Sequence, residues 1–203
     1  MAWNENNYYH SNDFNLIVAK GNLYDDFIFT LRQIPDRGYV SDRFIVNDVP
    51  VPFHNKAEMS IRISNDTLSN KSQYCIVSIK RGKENWIGGK YNNGFMLANI
   101  YEAGSEYAVS TDNETPVITP IQSEKWETQK AIKIKVTDTK SGINTVKGYI
   151  DGKFALFEND VKSPIYTYIF DSERLSRNKT HTLKLIATDA CGNVSEYSTE
   201  FFY

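Results

Sequence analysis

Apolar residues recur at every second position through most of this chain, which is the period of a half-buried β-strand. Asn15-Leu16-Ile17-Val18-Ala19 opens the pattern, Gly21-Asn22 reads as a turn, and Leu23, Phe27, Phe29 and Leu31 alternate beyond it, interrupted at Asp25. A hairpin with one buried face is expected there, preceded by an irregular, Asn-rich start over residues 1–12. Pro35, Gly38, Pro50 and Pro52 punctuate the next stretch. Because proline cannot donate to a sheet ladder, residues 43–46 are expected to form at most a short edge strand. Alternation resumes at 57–63 and 73–80, then around Trp86-Ile87-Gly88-Gly89, over 94–98 and at Tyr107-Ala108-Val109. No window holds a period of 3.6 over three turns, so helix should be nearly absent.

Residues 110–116, Ser-Thr-Asp-Asn-Glu-Thr-Pro, are polar, rich in turn formers and stopped by proline, close to the middle of the chain. They mark a boundary between a domain at 1–112 and one at 113–203. In the second, Ile132, Ile134 and Val136 alternate with Lys133 and Lys135, a strand with one wet face. Asp151-Gly152 between 146–151 and 153–158 is a strong hairpin signal. Further strands are expected at 164–170, 182–188 and 194–203. Val136-Thr137-Asp138 before Gly142 is echoed by Ala187-Thr188-Asp189 before Gly192-Asn193. In both, aspartate can accept amides just downstream while glycine supplies positive φ. About seven strands at this spacing predict an all-β chain of two tandem immunoglobulin/fibronectin-like β-sandwiches.

At 203 residues the chain is long enough for two cores of ordinary size. A net charge of −2, with Lys and Arg scattered singly, gives no footprint for nucleic acid. No apolar run reaches the length of a membrane helix, and an export signal, if any, is expected upstream of Met1. Cys75 and Cys191 fall in different domains beside strand-like residues and read as buried thiols.

Candidate chemistry narrows quickly. His10, His54 and His181 are far apart in sequence, without metal-ligand spacing, and no nucleophile elbow or phosphate loop occurs. Neither a catalytic set nor a cofactor is expected. Asp112 and Glu114 at the boundary, with Asp138, Asp189 and Asn193 at turns, could offer the hard oxygens that Ca²⁺ prefers if they met at one end of a sandwich, Asp112, Asp138 and Asp189 foremost; each aspartate reads first as the cap of its own turn. Trp3, Tyr8, Tyr9, Trp86 and Tyr91 stand near polar or glycine-rich sequence, where an aromatic platform for a sugar would be placed.

One run of motifs has a family likeness. Asp138-x-x-Ser141-Gly142-Ile143, Tyr149-Ile150-Asp151-Gly152-Lys153, Phe170-Asp171 with Arg174-Leu175, and His181-x-Leu183-x-Leu185-x-Ala187-x-Asp189-x-x-Gly192-Asn193 resemble the C-terminal β-sandwich region of Bacteroidetes cell-envelope proteins of the M23 (lysostaphin-like) metallopeptidase family. Asn22-Leu23-Tyr24-Asp25-Asp26-Phe27, Val51-Pro52-Phe53-His54 and Trp86-Ile87-Gly88-Gly89-Lys90 extend the likeness into the first half. The zinc-binding H-x-x-x-D and H-x-H motifs of that family's catalytic domain do not occur, so no catalytic residue carries over. The resemblance implies a non-catalytic accessory module in the cell envelope, periplasmic or surface-exposed. Such a module would position a peptidase domain or partner at the wall, with a cell-wall polymer or another envelope protein as its partner. A carbohydrate- or protein-binding adhesion module is the alternative.

Overall fold

Sixteen strands, one four-residue helix and two short 3-10 turns make up the regular structure of residues 1–203 in the computed structural model. They fall into two units, Met1–Asp112 and Asn113–Tyr203.

The first unit is a single antiparallel sheet of eight strands: β1 (Asn7–His10), β2 (Phe14–Val18), β3 (Leu31–Ile34), β4 (Arg43–Arg62), β5 (Tyr74–Lys80), β6 (Lys83–Gly88), β7 (Lys90–Asn92) and β8 (Phe95–Thr111). Their order is β1-β2-β4-β8-β5-β6, with β3 added on β4 and β7 on β8. The two long strands exchange neighbours along their length. β4 pairs β3 over Arg43–Val46 and β2 over Glu58–Ile61, while β8 pairs β7 through Phe95–Leu97 and β5 through Glu106–Thr111. Between these ends the β4–β8 register slips twice, after Val46 and after Pro52. There the sheet folds over, and Phe14 of β2 comes within 5.2 Å of Phe44 in the opposite half of β4. Gly104 lets the strands approach at the fold: its φ is +100°, and a Cβ on it would lie 2.4 Å from the Cα of Pro50. Leu16, Phe44, Met59, Ile61, Ile76, Met96 and Val109 fill the space enclosed.

Three expectations are corrected here. Residues 43–46 do not form an edge strand; they begin the twenty-residue β4 in the interior of the sheet. Pro50 lies within the first slip, and Pro52, opposite Glu102, borders the second; a strand tolerates proline at such bulges. The start is not irregular throughout, since β1 pairs β2 from Asn7 to His10. The expected hairpin across Gly21-Asn22 does not form, and residues 22–30 are not a strand. Their polar groups bond elsewhere: Asn22 accepts the amides of His54 and Asn55 and donates to the carbonyl of Lys56, Met1 and Phe27 exchange two bonds, and Asn47 accepts the Thr30 amide. Leu23 is nevertheless buried, with Phe27 and Phe29 against the core, so the alternation reports packing without pairing.

In the second unit, β9 (Val117–Pro120), β10 (Ala131–Thr137), β11 (Ile143–Ile150), β12 (Lys153–Ala155), β13 (Glu158–Asn159), β14 (Ile165–Ile169), β15 (Thr180–Asp189) and β16 (Val194–Phe202) form two four-stranded sheets. Their orders are β13-β14-β10-β9 and β12-β11-β15-β16. Lettered A, B, C, C′, D, E, F, G in chain order, these are the A-B-E-D and C′-C-F-G sheets of an immunoglobulin-like sandwich. Ile132, Ile134 and Val136 share its core with Leu183, Leu185 and Ala187, while Lys133 and Lys135 are exposed. Asp151 and Gly152 both have positive φ, +49° and +75°, as a two-residue type I′ turn requires. Strand β12 ends at Ala155 rather than running to Glu158. Phe157 turns inward over Gly148, where a Cβ would meet its ring at 2.3 Å. The helix α1 (Trp126–Gln129) is too short to show in periodicity, yet its Trp126 is buried and donates its indole hydrogen to the Ile121 carbonyl at 2.9 Å.

Candidate functional site

The echoed aspartates of the second unit have one geometry. Oδ1 of Asp138 accepts the amides of Lys140 (3.0 Å) and Gly142 (2.6 Å), two and four residues on. Oδ1 of Asp189 accepts those of Cys191 (2.9 Å) and Asn193 (2.8 Å), at the same offsets, and Oδ2 takes the Asn193 side chain at 2.7 Å. Asp138 follows strand B and Asp189 ends strand F, so both turns lie at the same end of the sandwich. Ala190 bonds across to the Gly142 carbonyl. Asp189 is wholly buried and Asp138 half-buried. Both close their own turns.

The three histidines are each held by neighbours. His10 meets Asn15 at 3.0 Å and His54 meets the Tyr24 hydroxyl at 3.3 Å. The buried His181 has Nδ1 at 2.7 Å from Asp151 and Nε2 at 2.8 Å from the Ser176 carbonyl. The backbone bond from Thr182 and then the His181 ring hold the Asp151 carboxyl below its usual range.

The aromatic candidates do not gather on one face. Trp3 is exposed, with its amide on Asp26 and its carbonyl taking the Gly21 amide. Tyr9 is half-buried beside Phe29 at 4.9 Å. Trp86 lays its indole over Gly88, where a Cβ would sit 2.7 Å from the ring. Tyr91 donates to Asp66 at 2.7 Å, with Lys71 over its ring and Tyr74 stacked beside it. Tyr9 and Tyr91 are thus engaged in packing.

What the strands do assemble is an open groove of about 680 Å³ on the outer face of the first unit. Ladder pairing sets its floor: Ile17 opposite Glu58 and Glu58 opposite Asn99 form one row, and Asn15, Ser60, Leu97 and Lys90 form the next. Lys56 and Tyr101 flank these rows, the ammonium 6.0 Å from the ring centroid. Gly89, at φ +129°, forms part of one wall, where a Cβ would lie 2.7 Å from the Leu97 carbonyl. Asn15 donates to Ser60 at 2.9 Å. The side chains of Lys56, Glu58, Lys90 and Asn99 make no hydrogen bond or ion pair within the chain. Tyr101, 62% exposed, and Tyr8, 60% exposed and opposite Ile17 on β1, are the aromatic rings of this face. The signal for these residues was present in the sequence only as the wet half of each strand's alternation.

A β module of two units, one carrying an open groove on a sheet face, is the class that fold and site define. The first 112 residues, more than half of the chain, match the family model of the Zu5-like domain, and the chain belongs to that family. Residues 110–203 match a domain of unknown function, DUF7743. Asp112, the last residue of the first unit, is buried, and its amide bonds to the Gln73 carbonyl at 2.8 Å. No curated protein matches the chain. Among solved structures, fibronectin(III)-like modules of Clostridium thermocellum CbhA are similar at 11% identity and a TM-score of 0.32, over 86% of this chain and 93% of that one.

Proposed function

We propose that this chain is a non-catalytic accessory module of a cell-envelope protein, which holds an associated domain of the M23 peptidase type, or another partner, against the cell wall. The observation that carries the reading is the groove over β2, β4 and β8: a preformed concavity on a paired sheet, with four polar side chains left for a ligand. Sites built on strands hold their shape better than sites on loops, as a targeting surface requires. What supports the envelope location and the peptidase association is the run of motifs from Asp138 to Asn193 quoted above. A second reading, an adhesion module for carbohydrate or protein, draws on the same groove and on the exposed rings of Tyr8 and Tyr101. Sedimentation of the chain with insoluble peptidoglycan tests the first reading, and pellet recovery above that with a denatured control is expected. A chain that stays in the supernatant overturns wall targeting. Stoichiometric zinc, or muropeptides released during the incubation, would overturn its non-catalytic character.

A further inference from the structure

We infer that the groove of the first unit binds a saccharide chain, with Tyr101 as the stacking platform and Glu58 and Asn99 as the groups that read ring hydroxyls. The inference rests on the reading of this face as a ligand surface and goes further by naming the ligand class and the residues. Three features point to sugar. The strands that floor the groove are interior to the sheet, with β2 between β1 and β4, and β4 between β2 and β8, so their backbone groups are taken by ladder partners. An extended peptide would bind by adding to a strand edge, and the groove meets one only at the three-residue β7, which carries Lys90. Glu58 and Asn99 stand directly opposite each other, about 5 Å apart at Cα as paired residues are. Together they offer carboxylate acceptors beside an amide that both donates and accepts, a set suited to adjacent hydroxyls. Lys56 and Lys90 add donors at the flank and the far row. The floor between is Ile17 and Leu97 with the exposed Tyr101 ring, apolar surface that suits the C–H face of a pyranose. A protein partner would call for a broader apolar centre than this floor, which charged and amide groups divide.

Isothermal titration of the full chain against soluble glycan strands freed of peptide, chito-oligosaccharide, cello-oligosaccharide and polygalacturonate tests this. Saturable binding to at least one is expected. Tyr101→Ala should weaken it roughly twofold to tenfold, the span of an aromatic contact. Glu58→Gln and Asn99→Ala should each weaken it by about tenfold, as lost polar contacts do. All three positions are exposed, so unchanged melting temperatures are expected to accompany the losses. Phe154→Ala, at an exposed ring of the second unit, should leave binding as it was. Binding to none of the four glycans overturns the saccharide assignment. Binding that survives all three groove substitutions overturns this site while leaving a wall-targeting role in place. Sedimentation with whole peptidoglycan but no binding to its freed strands would instead assign recognition to the peptide stems, against this inference.

Discussion

Removing the carboxylate of Asp189 should cost the second unit about 3 kcal/mol. Asp189→Ala deletes two charge-assisted bonds from the backbone, 2.9 Å from Cys191 and 2.8 Å from Asn193, and a third from the Asn193 side chain at 2.7 Å. Bonds to a charged group are worth roughly 1.5–3 kcal/mol each, so simple addition would give upwards of about 4.5 kcal/mol. Two effects reduce it. Water can reach some of the orphaned donors once the side chain is gone, and deletion relieves repulsion with Asp138, one oxygen of which lies within 4.8 Å. At an effective dielectric of about 20, that repulsion is of the order of 3 kcal/mol before salt and hydrogen bonds screen it. Asp138→Ala loses only two amide bonds at a half-buried site, and about 1–2 kcal/mol is expected. Asp189→Asn keeps one acceptor oxygen but turns an amide donor toward another, and should fall between. Urea unfolding of the full chain, with hydrogen exchange read at the amides of Cys191 and Asn193, measures all three. An Asp189→Ala cost below about 1 kcal/mol, or an Asp138→Ala cost above it in rank, would refute the turn-closing role. If closing the turns is their whole task, the wild-type midpoint is the same in Ca²⁺ and in chelator. A rise with Ca²⁺ that Asp189→Ala abolishes would assign these carboxylates a cation.

Gly152→Val should destabilise the second unit by about 1–2 kcal/mol from backbone strain alone, since φ is +75° and no atom lies within 4 Å of the added Cβ. An unchanged melting temperature would count against the hairpin. Gly104→Ala should cost more, about 3 kcal/mol or above, because strain at φ +100° is joined by a 2.4 Å approach to the Pro50 backbone. The loss should appear in the unfolding of the first unit. For Asp151, a carboxyl held below its usual value contributes stability that is complete above the unfolded pKa and lost as pH falls through the folded one. The melting-temperature gap between wild type and Asp151→Asn should therefore be present at about pH 5 and close as pH falls below about pH 4. A gap that widens on acidification would refute the assignment.

Much of the second unit was legible before folding was considered. Asp151-Gly152 and the two aspartate turns depend on groups within five residues, so their chemistry is written locally. The polar stretch ending at Pro116 marks the junction at which the two units divide. The first unit was harder to read. Pro50 and Pro52 read as punctuation and stand at the two register slips where β4 folds over, positions at which a proline's missing amide is tolerated. Phe27 and Phe29 alternate as a strand would, yet the Phe27 backbone bonds to Met1 at the start of the chain and the Thr30 amide to the Asn47 side chain. Trp126 went unnoticed because four residues of helix cannot show a period of 3.6.

By itself the sequence determined the strand content, the turns of the second unit and which face of most strands is wet, since alternation, Asp-Gly pairs and positive-φ glycines act through neighbouring residues. Only the tertiary structure decided that β4 and β8 are continuous, that Phe14 meets Phe44, and that Asn15, Glu58 and Asn99 share one groove. These are long-range pairings, and the same wet faces would suit many registers. Burial of Leu16, Met59 and Met96 selects one of them, and the groove residues are carried into place by the core on the other side of the sheet.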